Sequence, residues 1–245
     1  MTALVTAVHT NSTSSTIITR VVVCDNNGYV MYSTNTVGYI YRSTDHGVTY
    51  AAISVPNAGN RFYCGCCSPV DNTLYFFSTS SIIESTDAGL TWTQVSTVTA
   101  TTPYSCICNN NGYVYVSCSS GIIYYTTDKW STYGSHTNTY AMNSMTLDTV
   151  NNQIYGVTQS NTKGVYKISS VGVATVAVTG LATGIYVYSI TYLSGYLYLC
   201  GYDDSVNYCY RTAVATISWA SFITPDINLN GFCIANTSNN TIIAA

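Results

Sequence analysis

The amino-acid sequence predicts an all-β fold, a six-bladed β-propeller with four strands in each blade, on the basis of three observations. No segment shows sustained helical periodicity, whereas short runs rich in valine, isoleucine and tyrosine alternate with turns that contain glycine and asparagine. The octet at residues 43–50 (STDHGVTY) returns at residues 85–92 (STDAGLTW), 42 positions later. The residue after the octet's threonine is Tyr50 in the first copy and Trp92 in the second. Equivalent positions recur at similar spacings at Tyr133, about Val176 and Trp219. A period near 42 residues is that of a four-stranded propeller blade.

Each octet is predicted to be the turn between two antiparallel strands. The two copies share an aspartate and a glycine, Asp45 with Gly47 and Asp87 with Gly89. The aspartate can accept hydrogen bonds from backbone N–H groups further along the turn, and the glycine supplies the positive φ that a tight hairpin needs. A degenerate third copy keeps Asp128 but has Trp130 in place of the glycine. Its turn is therefore expected to differ.

The octet resembles the Asp-box, or BNR repeat, whose pattern is Ser/Thr-x-Asp-x-Gly-x-Thr followed by an aromatic residue. The resemblance implies a structural turn between the third and fourth strands of a propeller blade. Proteins with this motif include sialidases, other glycan hydrolases and non-enzymatic propellers, so the resemblance bears on the fold far more than on the chemistry. The scarcity of charge and the abundance of Ser, Thr, Asn and Tyr also resemble phage and viral structural or attachment proteins.

Five complete repeats are predicted, at residues 21–56, 57–99, 100–140, 141–182 and 183–224. The strands of the first two are expected at 21–24, 29–32, 38–42, 50–55, 62–67, 74–77, 82–83 and 92–95. Those of the next three are expected at 104–108, 113–116, 122–125, 145–147, 154–157, 165–168, 187–192, 196–200, 208–211 and 217–219.

A sixth blade is predicted to combine both ends of the chain. Residues 225–245 hold two strands, at 232–235 and 242–243, and residues 1–20 hold two apolar patches, at 3–8 and 17–18. Joining them closes the ring and removes the exposed sheet edges. A β-sandwich with coincidental turns is the alternative, and seven blades would require that one blade has been miscounted.

The composition argues against several functions. Charged residues make up 7% of the 245 residues, against ~25% in typical globular domains, and only seven are Lys or Arg. We therefore expect neither a nucleic-acid groove nor a polybasic membrane anchor, since both need clustered cations. No apolar run approaches the ~18 residues of a membrane span. The N-terminus lacks the basic and apolar regions of a secretory signal, so a virion or extracellular location would require another route, such as release of a virus by lysis.

A glycan hydrolase is the enzyme that the octets suggest. Sialidases with this motif use three arginines, a Tyr–Glu nucleophile pair and an aspartate acid/base. Here Arg42 and Arg211 are expected on third strands toward the blade rim, and the only glutamate, Glu84, occupies the same column. A Tyr–Glu pair near the axis is therefore not expected. Three further aspartates fall in first-to-second-strand turns and are interpreted as turn-formers: Asp25, Asp71 and Asp148.

The face opposite the octets is the predicted binding surface, because it carries the second-to-third-strand loops and the connections between blades. Its candidate residues are Arg61, His136, Lys163, Tyr202, Asp203, Asp204 and Asp226. The adjacent pair Asp203 and Asp204 is interpreted as a hairpin tip, with a contact to Ca²⁺ or to a sugar hydroxyl as the alternative. No cofactor is expected.

Most of the ten cysteines are interpreted as reduced, small, buried apolar side chains. The pairs Cys64 with Cys66 and Cys106 with Cys108 each lie on one face of a first strand because side chains alternate along a strand. Neighbouring blades could bring these four thiols together, an arrangement that suits Zn²⁺, although the spacing is not that of a zinc knuckle. Core packing is preferred over disulfides, and disulfides over a metal. A cross-strand disulfide between Cys200 and Cys209 is considered but not favoured.

The sequence thus favours a non-enzymatic binding or structural propeller, a virion-associated or other surface-recognition module that contacts a glycan or a protein. Assembly into a larger virion or multimer fits this interpretation. A divergent Asp-box glycan hydrolase and an intracellular protein-interaction scaffold are the alternatives.

Overall fold

A computed structural model of the chain describes residues 19–25, 27–34, 38–56, 59, 61–96, 101–158, 164–178, 186–202, 207–215, 220–223, 233–236 and 241–244. Every regular element within these ranges is a β-strand, which confirms the predicted all-β class. None of the described residues belongs to a helix long and apolar enough to cross a membrane.

Within the described ranges, five four-stranded antiparallel sheets follow one another, each built from consecutive strands in chain order. The first sheet contains β1 (Thr19–Cys24), β2 (Val30–Thr34), β3 (Tyr39–Ser43) and β4 (Ala51–Ser54), and the second contains β5 (Phe62–Cys67), β6 (Leu74–Ser78), β7 (Ile82–Ser85) and β8 (Thr93–Ser96). The third contains β9 (Pro103–Cys108), β10 (Val114–Cys118), β11 (Ile122–Thr126) and β12 (Gly134–Thr137). The fourth contains β13 (Ser144–Asp148), β14 (Gln153–Val157), β15 (Val165–Ile168) and β16 (Ala174–Val178), and the fifth contains β17 (Tyr186–Leu193), β18 (Tyr196–Tyr202), β19 (Asn207–Ala213) and β20 (Ala220–Ile223). A last pair is formed by β21 (Cys233–Asn236) and β22 (Thr241–Ala244).

These strands lie close to their predicted positions, because tyrosine-rich and β-branched runs separated by turn residues mark them well. The strand expected at 217–219 falls on residues outside the described part of the chain, and the described strand there is β20. Both apolar patches of residues 1–20, at 3–8 and 17–18, also fall outside it. Six blades and the shared sixth blade therefore remain predictions.

The described residues divide into two compact units. The N-terminal unit comprises residues up to 116 together with 126–133, and the C-terminal unit comprises 117–125 and 134 onward. Within the N-terminal unit, β5 lies beside β1 on one side and beside β9 on the other. Within the C-terminal unit, β17 lies between β13 and β21 in the same way. The first strands of successive sheets are thus neighbours in each unit.

Each unit has its own apolar core between successive sheets. In the N-terminal unit the buried cluster consists of Val23, Met31, Ile40, Val55, Phe62, Leu74, Phe76, Ile83 and Trp92. In the C-terminal unit it consists of Tyr155, Val157, Val165, Val187, Ile190, Leu197, Leu199 and Tyr210. Sheets packed face to face in this way leave their hairpin turns at the surface, where ligands can reach them. We call the end of a sheet where strand one meets strand two, and strand three meets strand four, its turn end, and the other its loop end.

Candidate functional site

The octet turns are held by a short network of side-chain hydrogen bonds. In the first octet, Ser43 Oγ donates to Asp45 Oδ1 at 2.6 Å and accepts from Gly47 N at 2.8 Å. Thr49 donates from its backbone N to Asp45 Oδ1 at 2.8 Å and from its hydroxyl to Asp45 Oδ2 at 2.6 Å. The second octet repeats these four bonds at 2.7, 2.9, 2.9 and 2.5 Å, with Ser85, Asp87, Gly89 and Thr91.

The third octet forms the same turn, so the expectation that it differs is wrong. Thr126 donates to Asp128 Oδ1 at 2.8 Å and accepts from Trp130 N at 3.0 Å. Thr132 donates to Asp128 from its backbone N at 2.9 Å and from its hydroxyl at 2.7 Å. Trp130 adopts φ 65°, in the same left-handed region as Gly47 (φ 91°) and Gly89 (φ 82°). The hydrogen bonds of the aspartate and the hydroxyl therefore fix the turn without a glycine.

The octet carboxylates are held in the ionised form. Hydrogen bonds from Ser43 and Thr49 lower the pKa of Asp45 far below its ordinary value. Bonds from Thr132 and Thr126 lower the pKa of Asp128 in the same way. Since their lone pairs are occupied by the turn itself, these groups suit a structural role better than general acid or base catalysis.

A second set of turn-formers occupies the turns between first and second strands. Asp25 Oδ1 accepts from the backbone of Asn27 and Tyr29 at 2.9 and 2.8 Å. The equivalent position in the third sheet is Asn109, whose side-chain oxygen accepts from the backbone of residues 111 and 113, both at 3.0 Å. Asp148 in the fourth sheet accepts from the backbone of residues 150 and 151 at 3.0 and 3.2 Å.

Asp71, the remaining turn aspartate, belongs to a charged group that the sequence did not reveal. Lys129 pairs with Asp71 at 2.5 Å, and Glu84 lies within electrostatic reach of both. Burial raises the pKa of Glu84, whose Oε2 is buried without a hydrogen-bond partner in the described structure. Burial also opposes ionisation of Asp71, but bonds from Lys129 and neighbouring groups lower its pKa overall. A carboxyl whose pKa is raised beside one whose pKa is lowered is an arrangement found in acid/base catalysis.

Tyr75 lies directly opposite Glu84 in the ladder between β6 and β7. The ring is almost fully buried, and burial together with the Glu84 charge raises the tyrosine pKa far above its ordinary value. A phenol that resists ionisation is a poor nucleophile, so this Tyr–Glu pair does not resemble an activated one.

Arg42 is likewise occupied, since its Nε donates to the carbonyl of Ala88 at 2.6 Å and its guanidinium lies 5.1 Å from the Tyr29 ring.

Four cysteines of β5 and β9 meet where these first strands lie side by side. Cys66 Sγ is 3.5 Å from Cys108 Sγ, and the thiol of Cys106 interacts with those of Cys64 and Cys66. All four carry free thiols. Among the described residues, no three His, Cys, Asp or Glu side chains are arranged to hold a metal ion.

Cys200, in contrast, is disulfide-bonded. The residue directly opposite it in the ladder between β18 and β19 is Cys209. The sequence interpretation did not favour a Cys200–Cys209 disulfide, because the sequence shows only that the two cysteines flank a hairpin and not how the strands pair. The Cys209 side chain lies outside the described part of the structure, so this pairing stays a prediction.

The candidates for the loop-end surface are only partly described. Arg61 is exposed just before β5, and Tyr202 is the last residue of β18. His136 lies within β12, opposite Ile123, rather than in a connection between sheets. The remaining four candidates, Lys163, Asp203, Asp204 and Asp226, lie outside the described residues.

A cleft of about 620 Å³ opens at the turn end of the fourth and fifth sheets, within the C-terminal unit. Its lining residues are Asp148, Val150, Asn151, Gln153, Tyr155, Lys167, Tyr192, Ser194, Gly195, Val214 and Ala215. Its volume is in the range of small-molecule sites.

Polar groups at the base of the cleft are fixed before any ligand arrives. Asn151 Nδ2 donates to Asp148 Oδ2 at 2.7 Å, and the Tyr192 hydroxyl donates to the same carboxylate. Burial opposes ionisation of Asp148, but these bonds lower its pKa overall. Tyr155 is only 2% exposed, and burial together with the Asp148 charge raises its pKa, so it remains a neutral phenol. Lys167 faces Tyr155 across the β14–β15 ladder and is exposed.

No family model and no curated protein matches the chain. Solved structures, in contrast, do match the chain. A catalytically inactive virginiamycin B lyase from Staphylococcus aureus with quinupristin has a TM-score of 0.74 and 16% identity, over 95% of this chain and 85% of that one. A nidogen/laminin complex has a TM-score of 0.67 and 14% identity, over 85% and 81%. YCF48 bound to D1 peptide has a TM-score of 0.63 and 12% identity, over 85% and 69%.

These neighbours are β-propellers. At such low identity the likeness shows the fold alone, and the fold of this chain is that of β-propeller proteins.

The cleft was missed because it depends on how two propeller sheets pack. One sequence signal could have indicated it. Hairpin turns are normally polar, yet in this chain large aliphatic side chains stand exposed in them: Val48, Val70, Leu90, Val150 and Val171. Val150 is 79% exposed at the rim of the cleft. An aliphatic residue at a turn otherwise composed of Asp, Thr and Asn is therefore a candidate binding residue.

Proposed function

We propose that the protein is a non-enzymatic binding propeller, and that the cleft of the C-terminal unit receives an apolar side chain from a protein partner. The observation that carries this proposal is the composition of the cleft. Its rim presents the exposed side chain of Val150, with Val214 and Ala215 also lining the cleft. Exposed aliphatic groups around a concavity are typical of protein-binding surfaces.

The polar lining of the cleft orients the segment that binds there. Asn151 and Tyr192 are already bonded to Asp148, so they do not have to be reorganised when a ligand enters. A preorganised site loses less conformational entropy on binding. Lys167 adds a positive charge beside the cleft, which favours a partner segment that carries an acidic or carbonyl group next to its apolar side chain.

Two of the structural neighbours support a protein partner. One belongs to a nidogen/laminin complex, and another is YCF48 bound to a D1 peptide. Propellers of this fold therefore serve as binding proteins in at least these two cases, and we extend that role to this chain.

Panning a phage-displayed library of linear peptides on the wild-type protein tests the proposal. The enriched peptides should bind at least tenfold more weakly to Val150→Asp, because a carboxylate at the rim must be desolvated beside the apolar side chain. Val48→Asp is the matched control, since Val48 is 75% exposed in an octet turn of the N-terminal unit. Equal binding to wild type and Val150→Asp would overturn the proposal, as would the absence of any enriched peptide.

A glycan-active enzyme of the Asp-box class is the second candidate, supported by the opposite pKa shifts of Glu84 and Asp71. A screen for hydrolysis of oligosaccharides, run beside a glycan array, separates this function from binding alone. If the wild-type protein releases sugar and Glu84→Gln does not, the enzymatic function would replace the binding proposal.

The finer architecture that we propose is a closed ring of six blades, in which residues 225–245 share the last blade with residues 1–20. The octets, which repeat at the period of one blade, are proposed to be Asp-box turns. The low charge and the Ser/Thr/Asn/Tyr-rich composition support a virion-associated or other surface-recognition module. The loop-end residues named from the sequence, Arg61 and His136 among them, are the proposed surface for a glycan.

A further inference from the structure

The thiols of Cys66 and Cys108 lie in contact between the first strands of two successive sheets. Their sulfurs are 3.5 Å apart and 42 residues apart in sequence, which is the spacing of the repeat. Both are free thiols with little exposure, 9% for Cys66 and 5% for Cys108. The contact therefore joins β5 to β9 inside the N-terminal unit.

We propose that Cys66 and Cys108 are a redox-active pair that closes to a disulfide between β5 and β9. A disulfide needs its sulfurs at about 2.05 Å, so the two side chains have to approach by about 1.5 Å in total. The two sulfurs are already in contact across β5 and β9, so this approach starts from neighbouring side chains.

Cys66 is the nucleophile of the pair. Burial opposes loss of its proton, but the thiols of Cys106 and Cys108 donate hydrogen bonds to its sulfur and lower its pKa. Burial raises the pKa of Cys106, and the hydrogen bond to Cys66 together with burial raises that of Cys108. A thiolate is the reactive species in exchange, so Cys66 reacts first.

The oxidant in this reaction is a small-molecule disulfide. The Cys66 thiolate attacks one of its sulfurs, forms a mixed disulfide and releases the first small thiolate. The Cys108 thiol then loses its proton and attacks the Cys66 sulfur, and the second small thiolate leaves. Two protein thiols are oxidised to one disulfide, one small disulfide is reduced to two thiols, and no other reactant is needed.

The neighbouring cysteines are less suited to this bond. Cys67 Sγ donates to the carbonyl of Ser68 at 3.6 Å and to Asn72 Oδ1 at 3.3 Å, so its thiol is already engaged within its own turn. Cys118 is a fully buried thiol in the C-terminal unit. Cys106 interacts with both Cys64 and Cys66, so a bond between Cys64 and Cys106 is the competing product.

The test is a titration with oxidised glutathione of the folded protein, in which the thiols from Cys64 to Cys118 are reduced and the Cys200 disulfide is left intact, followed by alkylation and peptide mapping. Trypsin leaves the six cysteines from Cys64 to Cys118 in one peptide, because no Lys or Arg lies between Arg61 and Lys129. Chymotrypsin cuts after aromatic residues such as Tyr75 and Tyr104, and so separates the β5 cysteines from those of β9. The expected product is one cross-linked peptide pair in which Cys66 and Cys108 are the residues that escape alkylation.

Closure should also raise the melting temperature by roughly 5–15 °C, because it removes the closure entropy of a long loop from the unfolded chain. Cys66→Ser and Cys108→Ser should each abolish both the cross-link and the shift, while Cys118→Ser should keep them. Three results would overturn the proposal. Peptide mapping of the wild-type protein detects each of them, so the test does not depend on whether the variants fold. The three results are a bond between Cys64 and Cys106, glutathione that stays attached to Cys66, and thiols that remain fully alkylatable at the end of the titration.

Discussion

Trp130 occupies a backbone conformation that bulky residues seldom adopt. Its φ of 65° lies in the left-handed region, which costs an L-residue roughly 1–2 kcal/mol. The indole offsets this cost, because it is only 3% exposed and meets the Phe77 ring edge to face at 5.7 Å between centroids. In the first two octets glycine relieves the strain. In the third, burial of a large aromatic surface compensates for it.

Replacement of Trp130 separates these two effects. Trp130→Ala loses the indole but keeps the strain, and should lower the free energy of unfolding by roughly 3–5 kcal/mol. Trp130→Gly loses the same contacts but relieves the strain, so it should be about 1 kcal/mol more stable than Trp130→Ala. Denaturant unfolding of both variants measures the difference. If the alanine variant were the more stable one, the left-handed turn at this position would be wrong.

At the scale of the element, the octet behaves as a unit centred on its first hydroxyl. Ser85 is buried, donates to Asp87 and accepts from the backbone of Gly89. The same geometry recurs in all three octets even though one has lost its glycine. This recurrence indicates that the hydroxyl and the aspartate define the turn. The residue at the glycine position adopts the backbone conformation that these hydrogen bonds impose.

Removal of the Ser85 hydroxyl should therefore lower the free energy of unfolding by far more than the small size of the group suggests. Ser85→Ala leaves the buried N–H of Gly89 without a partner, and we expect a loss of about 1–3 kcal/mol in denaturant unfolding. Thr86→Ala, at the exposed neighbouring position, is the matched control and should change stability by less than about 0.5 kcal/mol. Similar losses in both variants would mean that the network contributes little.

The strands and turns could be predicted from the sequence because they depend on local alternation and on residues within a few positions of each other. β5 lies at residues 62–67 as predicted, and the turn roles of Asp45 and Asp87 follow from neighbours within four positions. The third octet was mispredicted because the indole's compensation comes from Phe77, on a different sheet. The cleft itself could not be located for the same reason, since Val150 and Val214 belong to different sheets that meet only on folding; the aliphatic turn residue Val150 was its signal in the sequence.

For the whole molecule, the proposed closure through a shared sixth blade predicts non-additive truncations. Deletion of residues 1–18, which ends before β1, and deletion of residues 225–245 each remove half of that blade. Either deletion should therefore lower the melting temperature, and the double deletion should lower it by little more than the larger single loss. Thermal unfolding of the four chains measures this. Additive losses would show that the two ends belong to separate structures.

The order of strands within each sheet has a consequence for how quickly the protein folds. Every described sheet is made of strands that are consecutive in the chain, so its ladders close loops of only a few residues, as between β5 and β6. Contacts between first strands of successive sheets are much less local, and Cys66 meets Cys108 across 42 residues. Loop closure over short separations is fast, whereas distant contacts are slower to form. Each repeat can therefore form its sheet soon after it leaves the ribosome, and docking of one finished sheet onto the next becomes the rate-limiting event.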